Sequence, residues 1–140
     1  MSEENVEIVR RGAERLRAAI ERGDPGAFFD PATQAVDFEW VLTGLGVEGK
    51  RIWTGREEFV EFLRIWTESF DDWSFHFDRF IDAGDDRVVA LFHQSGTGKG
   101  SGVPVEWESG VVYELKDGLI VRVTNYATLP DALEAAGLSE

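Results

Sequence analysis

His93 is the side chain here best suited to exchanging a proton near neutral pH, where an unperturbed imidazole titrates. It lies in residues 87–96, RVVALFHQSG, whose alternation puts Val89, Leu91, His93 and Ser95 on one face of a strand. We expect that face to look into a pocket, with Leu91 in its wall and His93 as candidate acid or base. The competing reading is a histidine bonded to a neighbouring strand. His76 sits between Phe75 and Phe77, an alternation that turns it to the solvent side. The chain has 2 histidines, on different strands and without ligand spacing, so no metal and no other cofactor is expected. Glu106 and Glu108 share a strand face and could pair for acid–base work. Trp107, Ser109, Val111 and Tyr113 fill the alternate face, however, and the glutamates read as outer surface. Tyr113 and Asn125 are better pocket candidates, each offering a hydrogen bond in an otherwise apolar wall. Trp66 is expected to line the same cavity. Residues 96–102, GTGKGSG, imitate a phosphate loop, but the Walker spacing is missing and a strand follows, so no helix N-terminus is available to an anion. They read as a hairpin rim.

These residues need a scaffold, and periodicity supplies one. Val6, Val9, Ala13, Leu16 and Ile20 step by three and four, which predicts an amphipathic helix over residues 3–22. Asp24-Pro25 opens a short second helix. Residues 35–42, AVDFEWVL, read as a strand, followed by a loop with Gly44, Gly46 and Gly49. Thr54-Gly55-Arg56-Glu57 is a capping box that starts a helix to about Phe70. Strands follow around residues 73–78, at 87–96, at 103–115 and at 119–127, with the favoured hairpin turn Asp117-Gly118 between the last two. A final helix covers residues 129–136. Helices first and a meander after them predict an α+β fold with one antiparallel sheet.

The 140 residues suit a single domain, 1–140, with a substantial core. No apolar run approaches the ~20 residues that span a bilayer, and the polar, acidic start is unlike a signal peptide. With no cysteine, disulfides and thiolate chemistry are excluded, and a reducing cytoplasm is the expected setting. A net charge of −13 disfavours nucleic acid and anionic membrane surfaces as partners.

Several segments together resemble the SnoaL-like branch of the nuclear-transport-factor-two-like superfamily. They are Arg22-Gly23-Asp24, Phe38-Glu39-Trp40, Thr54 to Phe59 (TGREEF), Phe80 to Asp85 (FIDAGD), the run from Gly96 to Gly102, Leu115 to Gly118 (LKDG) and Ala132 to Leu138 (ALEAAGL). The resemblance implies a cone: a curved antiparallel sheet whose N-terminal helices enclose a pocket, plus a short C-terminal helix. It also implies pairing of two copies through the convex face. Ketosteroid isomerases, polyketide cyclases and limonene epoxide hydrolases share this fold, so the fold alone names no reaction.

Carried over position by position, the resemblance puts the isomerases' donor tyrosine at Leu16, their base near Val41 and their second donor at Val111. All are apolar here. Glu39 takes the base's place if the register shifts by two. SnoaL-type cyclases use an acid at the Val111 position, and the hydrolases' general base falls on Asn125. This chain therefore departs from each of the three catalytic patterns. The expected pocket comprises Leu16, Val41, Trp66, Leu91, His93, Val111, Tyr113 and Asn125, and its expected ligand is a small hydrophobic molecule. Two other readings stay open. One is an isomerase, cyclase or hydrolase using His93, Asn125, Tyr113 or Glu39. The other is a non-catalytic dimerisation module, which a cavity filled by Trp and Phe side chains would favour.

Overall fold

The computed structural model describes residues 2–44, 46, 47 and 49–138. The first helix, α1, spans Ser2–Glu21 and buries Val9, Ala13, Leu16 and Ala19, the face its three- and four-residue spacing predicts. A 3₁₀ turn, Pro25–Phe28, buries Phe28. Strand β1, Gln34–Leu42, and short strand β2, Ile52–Thr54, lead into α2, Gly55–Thr67. β2 occupies the end of what the glycines mark as loop. The capping box is displaced by one residue: Thr54 makes no side-chain cap bond, and its backbone N–H donates to the Glu58 carboxylate at 2.8 Å. That bond, with Lys50 beside it, holds the Glu58 carboxyl below the usual carboxylate range.

Four long strands follow: β3, Phe70–Gly84; β4, Arg87–Gly98; β5, Pro104–Lys116; and β6, Leu119–Tyr126. The helix α3, Leu129–Ala135, starts where the Thr128 hydroxyl accepts the Asp131 N–H. At the β5–β6 turn, Asp117 and Gly118 both take positive φ, 53° and 80°, the backbone of a two-residue hairpin turn that matches strand twist.

The six strands are ordered β2-β1-β6-β5-β4-β3 in one curved, unclosed sheet. The expected all-antiparallel pairing is corrected at one place: β1 runs parallel to β6, with Trp40 opposite Val123 and Leu42 opposite Asn125. Strand β3 is bulged. Its register with β4 shifts between Asp71 and Ser74 and between Asp78 and Ile81, and Asp72 and Arg79 there adopt φ of 53°. Such bulges bend a strand and re-aim its side chains.

The sheet divides two cores. On the concave side, Val9, Leu16 and Ala19 of α1 and Phe59, Phe62 and Leu63 of α2 pack on Phe38, Trp40, Ala90, Phe92, Val111 and Val123. On the convex side, Ala132, Leu133 and Ala136 cover Val89 and Val112. Among the described residues, no helix is long and apolar enough to cross a membrane.

Candidate functional site

A cavity of about 150 Å³ opens in the concave core. Leu16 reaches it from α1, and Phe59, Phe62, Leu63 and Trp66 from α2. The sheet contributes Trp40 and Leu42 from β1, Trp73 and Phe75 from β3, Phe92 and Gln94 from β4, Ser109 from β5 and Asn125 from β6. None of these lining side chains is ionisable. A second, smaller cavity lies next to it, lined by Tyr113, Phe28, Val123 and others, and Leu16, Trp40 and Phe59 border both.

The polar groups lie along a diagonal of three adjacent strands. Asn125 on β6 stands opposite Val111, Ser109 follows two residues away on β5, and Gln94 on β4 stands opposite Trp107. The Gln94 Oε1 accepts two hydrogen bonds, from Trp66 Nε1 at 2.9 Å and from Trp73 Nε1 at 3.0 Å. The Asn125 Nδ2 donates to the Val41 carbonyl at 2.9 Å, tying β6 to β1 and leaving Oδ1 as an acceptor. The Trp40 and Trp53 indole N–H groups are buried without a partner among the described residues.

Leu16, Trp66 and Asn125 thus line the cavity, and five other expected residues do not. Val111 is fully buried in the concave core beside it. Tyr113 borders the smaller cavity. Val41 points away, because Phe38, Trp40 and Leu42 take the concave face of β1; only its carbonyl takes part, through Asn125. Leu91 and His93 are on the wrong face. Val88, Ala90 and Phe92 belong to the concave core, so Val89, Leu91 and His93 face outward. There His93 Nδ1 meets Glu108 Oε2 at 2.9 Å and its ring stacks on His76, with centroids 4.3 Å apart. That is the competing reading of His93, a histidine bonded to a neighbouring strand. Glu39 also lies outside the cavity and pairs with Arg122 at 2.9 Å, an arrangement that raises the guanidinium's pKa. No group of three or more metal-ligating side chains occurs among the described residues.

Gln94, Trp40, Leu42, Trp73, Phe92 and Ser109 were not anticipated as lining residues. Gln94 shares its parity with Val88, Ala90 and Phe92, but Val89 and Leu91 of the other parity are equally apolar and buried, so alternation alone does not single it out.

Tyr113 gives the fold a pH dependence. Burial pushes its phenol up, because the phenolate would lose its hydration. An acid raised in this way favours the folded state fully below the unfolded phenol value near 10, and the advantage is lost as pH climbs beyond it toward the folded value. The urea midpoint should fall as pH passes about 10, and Tyr113→Phe should flatten that fall. Identical alkaline profiles for the two proteins would show that Tyr113 is not the group responsible.

The profile of the SnoaL-like domain family matches residues 13–123. Among solved structures, an NTF2-like protein from Burkholderia thailandensis superposes with a TM-score of 0.69 at 26% identity, covering 95% of this chain and 96% of that one. An NTF2-like protein of unknown function from Burkholderia pseudomallei gives 0.69 at 21% identity, covering 94% and 95%. A protein of ketosteroid isomerase-like fold from Catenulispora acidiphila, in complex with trimethylamine, gives 0.67 at 22% identity, covering 94% and 93%. Among curated proteins none matches significantly.

Proposed function

We propose, for a chain that belongs to the SnoaL-like domain family, that the concave cavity binds a small, uncharged, largely apolar molecule. The observation that carries this reading is the lining: a cavity of about 150 Å³ walled by apolar and aromatic side chains with Gln94, Ser109 and Asn125 as its polar groups. Few convergent polar groups in an apolar wall are the usual form of a ligand site. A cavity near 150 Å³ with a Leu/Ile/Phe lining is known to take up benzene, so the ligand is compact, of about one ring. The open volume favours binding over a module whose sheet serves pairing alone.

The reading is of binding rather than proton transfer. General acid–base catalysis places a titratable group within hydrogen-bond reach of the reacting proton, and this lining supplies amides, a hydroxyl and indoles. The fold-sharing Catenulispora protein holds trimethylamine, a compact molecule, which supports a small-ligand reading.

Titration of the purified protein with benzene, followed by NMR, tests the proposal. Saturable shifts confined to residues such as Leu16, Leu63 and Trp66 are expected, and Ser109→Phe, which fills the cavity from β5, should abolish them without unfolding the protein. Shifts that stay linear in benzene, or that survive Ser109→Phe unchanged, would count against it.

A further inference from the structure

We infer that Gln94 makes the cavity selective for neutral compounds carrying a hydrogen-bond acceptor oxygen, a carbonyl or an ether, over hydrocarbons and over carboxylates. This rests on the ligand-binding reading above and adds what the ligand must present. An indole N–H can only donate, so the atom facing both Trp66 and Trp73 is the amide oxygen. That fixes the amide's orientation by chemistry. Its nitrogen end, with two N–H donors, has no partner among the described residues, although Gln94 is only 6% exposed and lines the cavity. These donors are open to the cavity rather than sealed from it, since Gln94 Nε2 is not among the fully buried atoms that lack a partner, and an acceptor on the ligand can take them. The two bonds to Oε1 also polarise the amide and strengthen its remaining N–H donors. A hydrocarbon leaves the donors unmet. A carboxylate would be stripped of water with no cation in the lining to compensate it. Gln94 is thus a specificity-determining residue, and Trp66 and Trp73 are its positioning residues.

The test compares cyclohexanone with methylenecyclohexane, two rings of cavity size that differ by an oxygen in place of a CH₂. Affinities of both are measured by NMR titration for the wild type, Gln94→Leu and Gln94→Glu. The ratio of affinities, ketone over alkene, should fall about three- to tenfold in Gln94→Leu, the worth of one net hydrogen bond. Gln94→Glu keeps an oxygen between the two indoles, so the packing is retained, and replaces the NH₂ with a second oxygen. Its preference for the ketone should be lost while the carboxyl is ionised and return on acidification, when a donor is restored; a merely structural role for Gln94 would not produce that reversal. An unchanged ratio in both variants, with the wild type binding both rings, overturns the assignment and leaves the cavity a binding site. If the wild type binds neither ring, the cavity reading fails and this inference with it.

Discussion

Phe59→Ala is expected to cost the fold about 3–5 kcal/mol and to join the two cavities into one. Phe59 is 2% exposed and sits at the centre of the aromatic core, with ring centroids 5.0 Å from Phe28, 5.9 Å from Phe38, 4.8 Å from Trp40 and 6.0 Å from Phe62. It also borders both cavities, so its ring is part of the partition between them. Truncation removes the ring's transfer free energy and leaves a void that a rigid helix–sheet sandwich closes only in part. Urea unfolding reads the first effect. The second is read by ligand size: naphthalene, poorly accommodated by the wild type, should bind the variant. A midpoint within error of wild type would show that the aromatic cluster is not the stabilising core.

Gly110→Val is expected to detach α3 from the sheet. A Cβ at position 110 would lie 2.7 Å from the Ala132 Cβ, 2.7 Å from the Thr128 carbonyl oxygen and 2.8 Å from the Leu129 Cα. Two of these are backbone atoms at the start of α3, which have no rotamer to give way. Overpacking of this kind costs about 1–3 kcal/mol, and more when the backbone must move. Valine adds two methyl groups to the clash. Its effect should be local: amides of α3 lose hydrogen-exchange protection while those of β4 and β5 keep theirs. Pairing Gly110→Ala with Ala132→Gly should recover only part of the stability, since the Thr128 oxygen remains in place. Full recovery would mean that the helix is held off by the Ala132 methyl alone.

The parts of this fold set by local rules were legible in the sequence. The spacing of Val9, Ala13 and Leu16 in α1 and of Phe59, Phe62 and Trp66 in α2 marks the faces that the structure buries or turns to the cavity. Asp117-Gly118 announces its turn because few other pairs adopt positive φ at both positions. The face of β4 was not legible. Val88, Val89, Ala90, Leu91 and Phe92 are all buried, because α1 and α2 cover one side and α3 the other. Alternation has nothing to report on a strand apolar on both faces, and a parity error of one residue carried His93 inward and Gln94 outward. The bulges of β3 escaped notice because Asp72 and Arg79 carry no glycine to signal positive φ. The parallel β1–β6 pairing was hidden too, since pairing direction leaves no mark on hydrophobic parity. The family resemblance compensated at Asn125, where the position of the hydrolases' base falls on a residue of the cavity wall.

That parallel pairing also sets the order in which the molecule can assemble. The β3–β4–β5–β6 meander is built from neighbouring hairpins, whose short loops cost little entropy to close. β1 must instead find β6 across most of the chain; the Glu39–Arg122 contact spans 83 residues. Non-local strand pairing of this kind belongs to slow folding, in milliseconds to seconds. During synthesis, β1 emerges first of the strands and has only the short β2 to pair with until β6 follows. Through that interval Phe38 and Trp40 lack the β6 side of their packing, although Phe28, Phe59 and Phe62, which they also touch, are already synthesised. Trp40 and Leu42 wall one side of the cavity and Phe92 and Gln94 the other, so the binding site is among the last parts of the molecule to exist.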